Sequence, residues 1–548
     1  MFLDFASVWE EVADAVPGKD AIVQGDRRVT YAAYDDAAAR LAGALEAAGV
    51  GEGAKVGLYL YNCPEYLMAQ HGAFKHRATP INVNYRYLDD ELCYLLDNCD
   101  AEVLVFHSSL GSCVGRVRDR LPRMKLLVEV DDGGGEHLDG AIGFDDLLSA
   151  QAPQPRKERA GADLYMLYTG GTTGMPKGVM YAQGDFTERL LSAFELLGLD
   201  QPVPTTRAGI APFIDSFAAR GADVTIPCCP LMHGTGMWVG AMPGLLSGGT
   251  VVLLESRSFD PHEVWRLTER ETVTRLVIVG DPFARPLLRA LEEREDSGPA
   301  YNPSSIRTVV SAGAIWSAEI KDGLRSRLSA TLIDALGSTE GGTYALSTAD
   351  HDRGTATAQF TLSPDTRVIA EDGRDVARGT GERGLLASRT ASLGYYKDTE
   401  KTARTFIEID GESFIITGDW ATVDEDGAIA LLGRGSNCIN SGGEKIFPEE
   451  VEEAIKRHPL VEDCLVVGLP DERFGQRVVA VVGGSAPPTP DEIRAFLRSS
   501  LAHFKIPRDV VIRPAVQRAP NGKADYQWAS AIARETLGAE VDSAGTSK

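Results

Sequence analysis

A chain of 548 residues is too long for one ordinary hydrophobic core, so two to four domains are expected. With 43% hydrophobic and 24% charged residues its composition is globular, and 55 basic against 79 acidic residues leave a net charge of −24. That charge excludes a broad nucleic-acid or anionic-membrane surface, so an anionic ligand must meet a local cluster of cations.

In chain order, the opening "MFLDFASVWEEVADAV" carries acidic residues inside its apolar run, unlike a leader peptide or a spanning helix. "YAAYDDAAARLAGALEAAGV" has helical period and ends at Gly51, and the apolar strand "KVGLYL" follows. "PEYLMAQHGAFK" and "LDDELCYLLDN" read as helices, and "AEVLVF", "GTVVLL", "RLVIVG", "RTVVSAG" and "ATLIDALG" as strands, several closing on glycine. This alternation predicts an α/β fold with a parallel sheet covered on both faces, and ligands at the carboxyl ends of its strands. "DDGGGEHLDGAIG" and "QAPQPRKERAGAD" read as surface loops and the tail "EVDSAGTSK" as disordered. From about Leu432 a compact mixed unit of about 110 residues is expected. The eight cysteines show no CxxC pair, as expected of reduced core thiols in a cytoplasmic protein.

The stretch "YTGGTTGMPKGVM", Tyr168 to Met180, gathers four glycines, three threonines and one lysine. Glycine lets backbone approach a ligand, and a loop rich in N–H groups, hydroxyls and one ammonium suits a polyphosphate. It is not the common GxxxxGK[ST] loop, because Pro176 precedes Lys177 and Gly178 follows it. Five further stretches follow in order. They are "PLMHGTG" (Pro230 to Gly236), "DALGSTEGG" (Asp334 to Gly342), "TGDW" (Thr417 to Trp420), "GRGSNCINSGGEKIFPEEVE" from Gly433, and "PNGK" (Pro520 to Lys523).

With these six motifs in this order, the chain resembles the adenylate-forming acyl-CoA synthetases over essentially its whole length. The resemblance implies a large N-terminal domain (1–433) of layered sheets and helices, a hinge (434–437) centred on Ser436, and a small mobile α+β C-terminal domain (438–548). It implies ATP, Mg²⁺ and coenzyme A, with a small-molecule acid as partner, no nucleic acid and no integral membrane segment. The expected assembly is a homodimer.

Site roles are implied position by position. Thr169, Gly171, Thr172, Thr173 and Lys177 resemble the phosphate loop. Thr339 would touch the α-phosphate and Glu340 would hold Mg²⁺, a hard cation that prefers oxygen ligands. Gly313, Ala314, Asp334, Ala335, Leu336, Gly337 and Ser338 would frame adenine, although Leu336 stands where the family often stacks an aromatic ring. Asp419 and Arg434 look like the ribose contacts. Ser441, Gly442, Gly443 and Lys445 resemble the loop that admits the pantetheine of coenzyme A. Lys523 is expected to bridge carboxylate and α-phosphate, in a stretch from His503 that holds five cations against one acid. Ser436 departs from the Asp or Lys usual at the hinge.

Met232, His233, Gly234, Met237 and Trp238 suggest an apolar acyl pocket, and Gly234 stands where amino-acid activating relatives carry a pairing Asp. The wording "GRGS" and "INSGGEK" resembles the branch that activates lipid and steroid side-chain acids. Three functions stay open: an acid–CoA ligase, an adenylating enzyme that loads a carrier protein, and an idle nucleotide-binding scaffold.

Overall fold

The computed structural model describes residues 3–171, 174–194, 202–221, 223–349, 354–409, 411–441, 444–471, 474–498, 500–520 and 522–545. At 170, 171, 174, 296, 297, 417, 434, 436, 444, 445, 475 and 538–545 it describes the backbone alone.

Among these residues four sheets form. The largest, of 14 strands, contains a parallel run in the order Asp20–Gln24, Thr250–Leu253, Val224–Pro227, Arg275–Ile278, Thr308–Ala312, Thr331–Ser338. It then turns antiparallel through Gly342–Ala349 and continues to Glu412–Val423 and Ala428–Arg434. A second, all-parallel sheet is built on Lys55–Tyr59 and Ala101–His107. The hairpin of Leu164–Gly171 and Gly174–Ala182 takes Ser392–Tyr395 as its third strand. The fourth sheet, of five strands between Ile439 and Arg513, forms the separate C-terminal unit.

The helices lie where the 3.6-residue period puts them, at Tyr31–Ala47, Pro64–Lys75 and Asp89–Asn98. Pro64–Lys75 is buried along its whole length. Its Gly72 permits this, because a methyl group there would lie 3.0 Å from the Ala38 carbonyl oxygen and 2.8 Å from Cδ2 of Leu41. Lys75 enters the interior paired to Glu10 and Asp35, each at 2.8 Å. The opening segment is the helix Phe5–Ala15, whose Phe5, Val8, Trp9 and Val12 join the core that also contains Phe74, Tyr165, Phe186 and Trp238.

The tail departs from expectation. The last helix runs from Tyr526 to Gly545, so Glu540–Gly545 continue it rather than leave it. No proline interrupts this helix, and Gly538 is accommodated inside it rather than ending it. The two expected surface loops are loops except that the first ends in the edge strand Ile142–Gly143, and the second is anchored. Arg159, whose side chain is 1% exposed, pairs with Glu10 at 2.8 Å, and Gln154 is buried beside His76. No helix among the described residues is long and apolar enough to cross a membrane.

Candidate active site

Parallel strands deliver their carboxyl ends to one edge of a sheet, where backbone groups beyond the ladder can face a ligand. Here Arg275–Ile278 lies between Val224–Pro227 and Thr308–Ala312, and Ala312 stands opposite Ala335 of Thr331–Ser338. The segments that follow these strands therefore share a rim: Cys228 to Gly236, Val279–Gly280, Gly313–Ala314, and Thr339 to Gly342. Hydrogen bonds tie the rim together. Gly280 N donates to Ser311 Oγ at 2.9 Å, and Thr235 Oγ1 to the Ala312 carbonyl at 3.5 Å. Gly313 has φ +96°, a conformation that side chains rarely adopt.

Two asparagines fasten the "PLMHGTG" segment. Asn82 donates to the carbonyls of Tyr168 (2.8 Å) and Met232 (2.7 Å) and accepts from the Tyr168 N–H (2.7 Å). Asn62 accepts from the Leu231 N–H at 2.8 Å and donates to the Cys229 carbonyl at 3.3 Å. Asn82 thus joins the strand that enters the glycine–threonine loop to the segment opposite. Met232 and Met237 are 1% exposed and Trp238 9%, and all three belong to the core cluster around Phe5 and Trp9. The Trp238 indole donates to the Tyr165 hydroxyl at 2.7 Å, so that ring is also fixed by a polar contact.

His233 stands apart from these core neighbours. Its Nε2 is enclosed and has no partner among the described residues, while the rest of the residue keeps partial exposure. Burial pulls its pKa down to about 3, and the charge of Lys523 pushes the same way. The folded chain therefore prefers a neutral ring, whereas the unfolded chain protonates near the ordinary histidine value of about 6.5. Between these values the unfolded state binds the extra proton. The stabilisation is complete above about pH 6.5 and is lost as pH falls toward 3. We expect His233→Gln to flatten this acid limb, measured as the shift in urea midpoint between about pH 7.5 and about pH 4.5.

The "GSTEGG" corner is braced on several sides. The Tyr181 hydroxyl donates to the Thr339 carbonyl, and the Ser338 and Tyr344 hydroxyls are bonded to each other. Ser338 Oγ accepts from the Glu340 N–H at 3.2 Å, and Thr390 Oγ1 donates to the Glu340 carbonyl at 2.6 Å. The Glu340 side chain accepts the Tyr395 hydroxyl at 2.8 Å. Lys177 Nζ lies 5.9 Å from the Tyr395 ring centre and donates to Asp398 Oδ2 at 2.5 Å, which holds the Asp398 carboxyl below its usual range. Lys177 and Glu340 thus meet at one tyrosine.

Asp419, 7% exposed, faces Arg434 across the antiparallel ladder, and its charge is felt by Tyr344 beside Ser338. Lys523 arrives from the C-terminal unit. A methyl group on Gly313 would lie 3.5 Å from Lys523 Cε, and one on Gly522 would lie 3.0 Å from the Phe283 ring. The same junction carries an ion pair at 3.5 Å between Arg289 and Glu462. Lys523 therefore meets the rim at Gly313, and the Lys177 hairpin meets it at Glu340 through Tyr395.

Some expected contacts are otherwise engaged. The buried Asp334 carboxylate is bonded to Lys321 Nζ at 2.9 Å, with burial pushing its pKa up to about 6 against the pull of that lysine. Leu336 leans on the cluster of Phe360 and Ile429. Thr172, Thr173, Gly442 and Gly443 lie outside the described residues, as do the side chains of Arg434, Ser436 and Lys445. Ser441 and Lys445 belong to a short hairpin whose strands pair Ser441 with Glu444 and Asn440 with Lys445. Asn62, Asn82, Tyr181, Tyr344, Tyr395 and Asp398 were not marked by any motif. Asn82 closes the fully buried strand Thr79–Asn82.

Fold and rim together define a two-part nucleotide-dependent enzyme, and the chain belongs to the AMP-binding enzyme family. The family model matches residues 9–396, and that of the AMP-binding enzyme C-terminal domain matches 450–523. Among curated relatives, the medium/long-chain-fatty-acid–CoA/3-oxocholest-4-en-26-oate–CoA ligase of Mycolicibacterium smegmatis is 39% identical, over 99% of this chain and 98% of its own. Medium-chain acyl-CoA ligase Mig of Mycobacterium avium is 41% identical over 95% and 97%. The 3-oxocholest-4-en-26-oate–CoA ligase of Rhodococcus rhodochrous is 39% identical over 96% of each. In fold, the anthranilate CoA ligase AuaEII bound to anthranoyl-AMP superposes with a TM-score of 0.83 at 22% identity, covering 98% of both chains. ATP-bound MatB from Rhodopseudomonas palustris gives 0.79 at 23%, covering 96% and 98%.

Proposed function

We propose that this chain is an ATP-dependent acid–CoA ligase. A carboxylate oxygen attacks the α-phosphorus of ATP and releases pyrophosphate. The thiol of coenzyme A then adds to the acyl-AMP carbonyl and displaces AMP. The observation that carries this reading is Lys523 of the C-terminal unit lying against Gly313 on the strand-end rim, with its charge felt at His233. Both steps move negative charge among phosphate and carboxyl oxygens, so positioned cations and N–H donors supply the catalysis rather than a nucleophilic side chain.

In this reading the hairpin with Thr169, Gly171 and Lys177 binds the outer phosphates, and Thr339 meets the α-phosphate. Asp419 and Arg434 hold the ribose, and the backbone from Ala335 to Ser338 with Gly313 and Ala314 borders adenine. Ser441 and Lys445 border the thiol's route. The domain limits are 1–433 and 438–548, with a hinge at 434–437 through Ser436. No three His, Cys, Asp or Glu residues converge among the described residues, and the Glu340 carboxylate suits Mg²⁺ carried in on phosphate oxygens. Bound there, the ion would neutralise phosphate charge. With ATP and coenzyme A as co-substrates, the proposed place of action is the cytoplasm.

The names of the relatives favour coenzyme A over a carrier protein and an apolar acid as substrate, a fatty acid or a steroid side-chain acid. The test is acid-dependent ATP–pyrophosphate exchange across short, medium and long fatty acids, aryl acids and sterol-derived acids. AMP release with coenzyme A or with a phosphopantetheinyl carrier follows. Exchange without coenzyme A-dependent AMP release would favour the carrier reading, and no exchange with any acid would overturn the assignment. Asp419→Ala is expected to raise KM for ATP on the order of tenfold, read in the same exchange assay.

A further inference from the structure

Tyr395 stands between two lysines. Its ring centre lies 4.9 Å from Lys401 Nζ and 5.9 Å from Lys177 Nζ, while its hydroxyl donates to Glu340. One carboxylate serves both lysines. Asp398 Oδ2 accepts from Lys177 Nζ at 2.5 Å, and Asp398 Oδ1 accepts from the backbone N–H of Lys401 at 2.9 Å. The Lys401 ammonium has no carboxylate within ion-pair distance among the described residues. Partial burial and the neighbouring charge of Lys177 lower its pKa, with Glu340 acting the other way.

The spacing of these groups is set by a ladder, not by a loose loop. Ser392–Tyr395 pairs with Gly174–Ala182, placing Tyr395 opposite Val179, and the Tyr396 N–H donates to the Gly178 carbonyl at 2.8 Å. Thr402 Oγ1 accepts from the Tyr395 N–H at 3.0 Å and donates to the Asp398 carbonyl at 2.8 Å, which locks the turn that carries Lys401. Two ammonium groups held about one ring, of which only that of Lys177 is paired to a carboxylate among the described residues, repel each other until a polyanion joins them.

We propose that Lys401 is a second phosphate-binding cation. With Lys177 it grips the terminal phosphates of ATP and then the departing pyrophosphate, and Asp398 is the partner that keeps Lys177 in place before the nucleotide arrives. The proposal rests on the reading that the Lys177 hairpin meets the triphosphate.

The test compares Lys401→Ala and Lys401→Arg with the wild-type chain by calorimetric titration with magnesium pyrophosphate alone, and by KM for ATP in exchange. Lys401→Ala should weaken pyrophosphate binding and raise KM for ATP on the order of tenfold, about 1.4 kcal/mol. Lys401→Arg should recover most of both, and conversion of supplied acyl-AMP to thioester should keep its rate. Unchanged pyrophosphate affinity in Lys401→Ala would overturn the proposal, as would an equal loss in both half-reactions that arginine does not restore. A wild-type chain that exchanges pyrophosphate with no acid would instead count against the ligase reading, and the titration would still decide the role of Lys401.

Discussion

Lys523→Ala should slow acyl-AMP formation on the order of a hundredfold, about 3 kcal/mol of transition-state stabilisation, and leave the conversion of supplied acyl-AMP to thioester near its wild-type rate. The asymmetry follows from where charge accumulates. In the first step an anion attacks an anionic phosphate, and the oxygens around the α-phosphorus gain charge as pyrophosphate departs. An ammonium beside Gly313, at the edge where nucleotide and acyl segments meet, compensates that charge directly. In the second step a thiol adds to a carbonyl already activated by AMP, and no new phosphate bond has to form. Rates of ATP–pyrophosphate exchange and of thioester formation from chemically made acyl-AMP separate the two. Equal losses would mean that Lys523 serves the junction between the two units rather than one step. That outcome has a physical route, since the neighbouring Gly522 packs on Phe283 and Pro282.

The contrast between Lys523 and Lys401 shows what the sequence discloses. Lys523 sits in "PNGK", a local pattern, and its side chain lies against Gly313 on the rim. Four of the six parallel strands in the large sheet were legible as short apolar runs, at Thr250–Leu253, Arg275–Ile278, Thr308–Ala312 and Thr331–Ser338, whereas Asp20–Gln24 and Val224–Pro227 were not marked. The antiparallel half of the large sheet was not legible. Strands such as Glu412–Val423 contain the glycine and aspartate of "TGDW" and have no uninterrupted apolar run. Lys401 was hidden for another reason. Its partners Lys177 and Glu340 are 224 and 61 residues away, counted as 401 − 177 and 401 − 340. Only the pairing of Ser392–Tyr395 with the hairpin brings them together. Interior residues are ambiguous in a different way. Met232, Met237 and Trp238 suggest a wall for an acyl chain, and all three also belong to the core cluster that contains Phe186, Tyr165 and the first helix. An apolar side chain looks the same in a sequence whether it meets substrate or core.

Asn82→Ala should destabilise the chain by about 3 kcal/mol and raise KM for both ATP and the acid, a double effect not expected at a position in one pocket alone. The side chain makes three hydrogen bonds to backbone groups of two segments far apart in sequence, at Tyr168 and Met232. Alanine would leave one buried N–H and two carbonyls without that partner, and each such group carries a desolvation cost of about 1 to 3 kcal/mol. Loss of the staple also frees the strand that enters the glycine–threonine loop to shift against the segment containing His233. Asn82→Asp separates the two consequences. It still accepts from the Tyr168 N–H but cannot donate to either carbonyl, so it keeps the strand side and loses the tie to Met232. Urea midpoints should therefore rank wild type above both the Asn82→Asp and Asn82→Ala variants, with the acid KM raised in both. If Asn82→Ala lost stability with both KM values unchanged, the asparagine would be a core contact with no part in aligning the two halves of the site.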